Sequence, residues 1–185
     1  CDNKCSVQDL PGSSTIDIQT TIDPAFADFV SNHGADFTGF ALTDAYVADD
    51  GKWEQILENV VLVADTRLNP QQVGLRPLGE KLTIMAEEPL PRSGAPDRYF
   101  YAVHGDKGYE IPLHLWEYIE DHGSIQLFGP PITHYSLLKN NIYHQCFANL
   151  CLMVDATTPG LTYIRPEPLG YAYRELYFQP TAQQI

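Results

Sequence analysis

The chain repeats itself, and that repeat restricts its fold more than any other feature. FADFVSNHGADFTGFALT, from Phe26 to Thr43, runs parallel to LWEYIEDHGSIQLFGPPIT, from Leu115 to Thr133, with one extra residue in the second copy. His33-Gly34 meets His122-Gly123, and Gly39 with Thr43 meets Gly129 with Thr133. From those threonines the register continues without a gap. Trp53 meets Tyr143, Gln55 meets Gln145, Asn59 meets Asn149, Leu62 meets Leu152 and Asp65 meets Asp155. One further insertion brings Pro77-Leu78-Gly79 onto Pro168-Leu169-Gly170. Matches that come in order, at turn and core positions, indicate a duplicated module, so both copies should fold alike.

Each copy parses physically. Phe26, Phe29 and Val30 fall at helical spacing, as do Leu115, Tyr118 and Ile119, predicting a short helix with one apolar face. Gly34 and Gly123 stand where a left-handed residue closes a helix, and the histidine before each suits the negative helix end. KWEQILENVVLVAD and IYHQCFANLCLMVD then read as strand pairs folding back near Glu58-Asn59 and Ala148-Asn149. The expected class is α+β: two tandem similar modules, each a short helix packed on a small antiparallel sheet. The divisions are an N-terminal arm at 1–20, module 1 at 21–80, a Pro/Gly-rich linker at 81–98, module 2 at 99–178 and a tail at 179–185. Within module 2, Asp106-Lys107-Gly108 reads as a turn after a strand carrying Tyr99, Phe100 and Tyr101. The aromatic-rich YAYRELYFQP reads as a last strand packed on module 2.

The start CDNKCS puts Cys1 where a processed bacterial lipoprotein carries its diacylglycerol, followed by a polar arm with Pro11 and Gly12. Lipidation of Cys1 is therefore expected, with acyl chains holding the protein to the bilayer on the extracytoplasmic face. No apolar run approaches the roughly 18 residues of a membrane helix. A formal charge of −13, from 24 acids against 11 bases, repels nucleic acid and favours a basic partner.

Two further cysteines lie in the second strand pair. If Ala148-Asn149 is a two-residue turn, Phe147 and Leu150 flank it as the hydrogen-bonded pair. Cys146 and Cys151 then form the next, non-hydrogen-bonded pair, close enough for a cross-strand disulfide in an oxidising compartment. The competing reading is apolar packing, because the first copy has Ile56 and Val61 at these places.

At RYFYAVHGDKGYEIPLHLWEYIEDHGSIQLFGPPIT the sequence resembles a repeat of secreted proteins from filamentous Chloroflexota-type bacteria. Tyr99-Phe100, Gly108, Trp116, His122-Gly123, Phe128-Gly129, Pro131-Ile132-Thr133 and Gln145 fall on its pattern. Tyr109, Ser124 and Cys146-Phe147 depart from it. The chain also resembles, more weakly, the cell-wall-associated LGFP repeat. Both resemblances imply extracytoplasmic, non-catalytic modules and bring no catalytic residue with them.

Motifs that carry chemistry are scarce. No H-x-x-x-H pair, C-x-x-C pair, G-x-S-x-G elbow or Gly-rich phosphate loop occurs. Asp49-Asp50 precedes Gly51 and reads as a solvated turn; Glu87-Glu88, and Glu117 with Glu120, read as wet surface. Aromatic residues (Tyr 11, Phe 8, Trp 2) can line a sugar-binding face or simply fill a core. No cofactor, metal or catalytic residue is expected. The reading favours a lipoprotein that is an accessory subunit docking on a larger membrane protein complex, an electron-transfer complex being one host. The alternatives are a cell-wall or glycan-binding surface lipoprotein and a hydrolase with an unrecognised site.

Overall fold

Glycines and apolar periodicity start both modules in the same way. The computed structural model describes residues 20–65, 67 and 72–178, so Cys1 and nearly all of the arm lie outside the described residues. Module 1 begins with α1 (Ala27–His33) and α2 (Ala35–Thr38), separated by Gly34. A sheet follows in sequence order: β1 (Tyr46–Val47), β2 (Trp53–Ile56), β3 (Val61–Ala64) and β4 (Val73–Leu75). The short α3 (Leu78–Lys81) closes the module. Next come β5 (Leu90–Pro91), β6 (Arg98–His104) and β7 (Lys107–Pro112), a small sheet of order β5-β7-β6. Module 2 continues through α4 (Leu113–Asp121) and α5 (Ser124–Phe128). Its own sheet is β8 (Ser136–Lys139), β9 (Ile142–Cys146), β10 (Cys151–Asp155) and β11 (Tyr163–Pro166), and α6 (Gly170–Tyr177) ends it. All strand pairs are antiparallel, and the class is α+β.

The aligned residues make the same bonds in both copies. Gln55 lies opposite Leu62, as Gln145 lies opposite Leu152. Thr43 Oγ1 accepts the amide of Ile56 at 3.2 Å, and Thr133 Oγ1 accepts that of Cys146 at 2.8 Å. Asn59 and Asn149 donate their side-chain amides to Phe37 and Leu127 carbonyls at 3.1 and 2.7 Å. These bonds explain the matched side chains: each satisfies buried backbone that the tight Gly/Pro segment leaves unpaired.

The larger of two core clusters joins the copies. Phe26, Phe37, Leu57 and Leu62 cluster with Leu115, Phe128, Phe147 and Leu152. Burial of each such side chain contributes about 1.5–3 kcal/mol, and each copy supplies only part of the apolar wall. The closing segments cross over. Gly79 donates its amide to Ala148 at 2.9 Å, and Gly170 donates to Glu58 at 2.9 Å. Each module's last element is thus clasped by the other module's hairpin.

Several expectations are corrected. Within YAYRELYFQP, residues 171–177 are helical and not a strand on module 2, and residues 179–180 lie outside the described residues. Residues 170–177 form α6, and Tyr173 is buried with Ile56, Val61 and Leu78 of module 1. Tyr173 and Tyr177 are four apart and stack at 4.7 Å, a helical pairing that aromatic content alone disguised. The turn between β6 and β7 falls at Gly105-Asp106, where Gly105 has φ 62°. Gly108 is instead a strand residue, and the close approach of β6 requires glycine there, since a Cβ would lie 2.0 Å from the Tyr101 carbonyl oxygen. Gly123 adopts the expected left-handed conformation, whereas Gly34 combines φ 81° with an extended ψ of 158°. The linker is not wholly irregular, since β5 within it pairs with β7.

Candidate functional site

Alternation along β2 sends successive side chains to opposite faces. Gln55 faces the common core, while Glu54 and Ile56 face α6. Glu54 is 1% exposed and is a charge in a low-dielectric setting, so it requires a partner. Arg76, following β4, supplies one: its Nε donates to Glu54 Oε2. The remaining guanidinium edge holds Asp50 in two bonds, Nη1 to Oδ2 at 2.5 Å and Nη2 to Oδ1 at 2.9 Å. Tyr46 donates its hydroxyl to Glu54 Oε1, and Tyr173 lies 3.2 and 3.3 Å from the two Glu54 oxygens. Module 2 therefore completes a polar network rooted in module 1.

These groups, with Tyr177, Phe178 and Lys81, line a cavity of about 500 Å³. Tyr46 and Phe178 rings sit 5.1 Å apart, and the Lys81 ammonium lies 5.7 Å over the Tyr177 ring. Hydrogen bonding to Arg76 holds the Asp50 carboxyl well below the usual carboxylate range. Its bond to Asp50 raises Arg76 further above its ordinary value, against the effect of burial. Burial, with Glu54 alongside, pushes the Tyr46 and Tyr173 hydroxyls far up. Tyr46, Asp50, Arg76 and Tyr173 thus keep one protonation state through the neutral range. Such a lining offers hydrogen-bonding groups and aromatic faces, and among the described residues it includes no Ser, Cys or His.

Of the residues singled out in the sequence, Asp50 lines this cavity and the cysteines and histidines lie elsewhere. Cys146 and Cys151 are joined by a disulfide, their Cα atoms 3.9 Å apart, on the hairpin that receives Gly79. Asp50 is the exposed turn residue expected, its side chain 44% exposed, and it is in addition held by Arg76. His33 and His122 each donate Nδ1–H to the carbonyl four residues back, both at 2.8 Å, and stack on Phe29 and Tyr118. Among the described residues no group of three His, Cys, Asp or Glu side chains is placed to hold a metal ion.

Sequence reasoning missed Glu54 and Arg76, although the repeat carried a signal for them. In the gapless register Glu54 meets His144, and Arg76, just before Pro77, meets Glu167, just before Pro168. His144 Nδ1 lies 3.1 Å from Glu167 Oε1. The same two places hold an acid–base pair in both modules, with the chemical types exchanged.

No family model, curated protein or solved structure matches the chain.

Proposed function

We propose that this protein is a non-catalytic, extracytoplasmic accessory subunit that docks on a larger membrane protein complex, an electron-transfer complex being one host. The observation that carries this reading is the commitment of the cavity's groups to one another. Arg76 is spent on Glu54 and Asp50, and the Tyr46 and Tyr173 hydroxyls on Glu54. What remains is shape, aromatic surface and charge. The Cys146–Cys151 bond supports an oxidising compartment. The charge of −13 supports a basic protein partner over nucleic acid. No described helix is long and apolar enough to cross a membrane, so attachment in this reading comes through the partner and through lipid on Cys1.

Mild-detergent extraction of the native protein, followed by native electrophoresis, tests the proposal. Co-migration with a membrane complex in fixed stoichiometry is expected, and quantitative recovery as a free monomer would overturn it. Intact-mass measurement separately tests the lipid, for which a mass equal to the bare polypeptide is the negative result.

A second reading, a glycan-binding surface lipoprotein, is favoured by one feature: the Tyr46, Tyr177 and Phe178 rings line the same cavity as the Asp50 carboxylate. Calorimetric titration with cellotriose and chitotriose tests it, and the absence of saturable heat with both removes it.

A further inference from the structure

The acids of the cavity beneath α6 divide into one that is used up and two that are not. Glu54 is buried and held by Arg76, Tyr46 and Tyr173. Asp50 is engaged on one side only. Its Oδ1 accepts from Arg76 and from the Lys52 amide at 3.2 Å, whereas among the described residues only Arg76 reaches Oδ2. Asp49 is exposed, lines the same cavity, and makes no ion pair among the described residues.

Charge and shape then set what this lining accepts. Its carboxylates are Asp49, Asp50 and Glu54 and its cations Arg76 and Lys81, so one negative charge is in excess. The two incompletely used carboxylates are the solvent-exposed ones. Beside them stand the Tyr46 and Phe178 rings, 5.1 Å apart, and exposed Val47. The lining already seats one cation on an aromatic face, Lys81 over Tyr177. Acid and aromatic surface together suit a cation with a flat apolar face. An arginine guanidinium is such a group, because it forks onto carboxylates and lies flat on rings, which a lysine ammonium does not.

We propose that this cavity receives an arginine side chain of the partner protein, its guanidinium on Asp49 and Asp50 and its stem against Tyr46 and Phe178. The inference rests on the docking function proposed above and names the chemistry of that contact. Charge complementarity supplies the argument for the occupant: a locally acidic cavity on a chain of net charge −13 selects a basic anchor. Lys81, the cation of the lining that no acid holds among the described residues, competes with that anchor.

The test uses the full chain carrying Asp49→Lys, with Asp28→Lys on α1 as a control of equal charge change. The readout is the amount of chain retained in the detergent-solubilised membrane complex. Asp49→Lys should reduce retention about 10-fold with an unchanged circular dichroism melt, and Asp28→Lys should not. Lys81→Met, which removes the competing cation, should raise retention. Full retention of Asp49→Lys, or an equal loss with Asp28→Lys, overturns the arginine site and leaves the docking function standing. A wild-type chain that joins no complex overturns both. Should Asp49→Lys fail to fold, calorimetric titration of the wild-type chain with N-acetyl-arginine amide decides. Saturable heat that Asp49→Asn weakens is expected, and its absence overturns the proposal. Saturable heat with cellotriose alone gives the cavity to the glycan reading and overturns it as well.

Discussion

Gly170 donates its amide to the carbonyl of Glu58 at 2.9 Å, which fixes the end of module 2 on the hairpin of module 1. The bond from Gly79 to Ala148 repeats it in the opposite sense. These contacts require bare backbone. A Cβ at position 170 would lie 1.7 Å from the Leu57 carbonyl oxygen and 2.9 Å from that of Glu58. At position 79 it would meet Ile132 Cδ1 at 2.8 Å and the Ala148 carbonyl oxygen at 3.0 Å.

Gly170→Ala is therefore expected to destabilise by about 3 kcal/mol and Gly79→Ala by about 1 kcal/mol, because only the latter's first obstacle is a side-chain tip. Urea unfolding of the two variants measures the order, and an equal or reversed cost would contradict the contact geometry.

The two matched glutamines are not equally satisfied. Gln55 accepts from the Asp23 amide at 2.9 Å and donates to Thr21 and Thr43 carbonyls at 2.7 and 3.0 Å. Gln145 donates to Glu110 and Thr133 carbonyls, but no donor among the described residues reaches its Oε1. Aligning Phe26 with Leu115 puts Pro112 opposite Asp23, and proline has no N–H. Replacement by leucine should cost about 1 kcal/mol more at Gln55 than at Gln145, as read from denaturation midpoints.

Arg76→Leu leaves Glu54 buried without its cation and should cost about 3–5 kcal/mol, measured by chemical denaturation. The pH dependence follows from the same cluster. Asp50 has a folded pKa below its unfolded one, so its contribution is present at neutral pH and is lost as pH falls below about 4. Asp50→Asn should flatten the acid limb of a stability–pH curve. Tyr46 and Tyr173 have folded values above their unfolded ones, so their contribution holds below about pH 10 and fades above it. Tyr46→Phe with Tyr173→Phe should flatten the alkaline limb.

The Cys146–Cys151 loop is short, with a sequence separation of 5, so the bond removes little unfolded-state entropy. Reduction should lower stability by about 2 kcal/mol without unfolding the protein at room temperature. The first copy suggests a rescue: Cys146→Ile with Cys151→Val restores the Ile56–Val61 pair and should melt within a few degrees of the oxidised protein. Calorimetry in the presence and absence of reductant checks both.

The hairpins were legible because their apolar runs break at the same two matched asparagines. The turn at Ala148-Asn149 is a weaker local signal than its outcome. Neither residue has the positive φ that favours a primed hairpin turn, and the turn amides instead donate to Pro130 and Phe128 carbonyls. Helix α6 was misread because its tyrosines suit a strand locally. Its helical pairing shows only when Tyr173 is placed under module 1. The polar cavity was missed for a related reason. Glu54 and Arg76 are far apart in the chain and resemble ordinary surface charges until β4 is set beside β3.

By itself the sequence determined the matched residues of the two segments, the α+β class, the paired strands and the register that sets Cys146 opposite Cys151. These follow from local periodicity and from residues that recur at fixed spacing. Tertiary structure alone decided that the modules exchange their closing segments and that α6 completes a site on module 1. Those outcomes depend on which surface is nearest when two half-cores meet. The backbone of Gly79 and Gly170 permits the crossing, while burial forces Glu54 to take Arg76 as its partner.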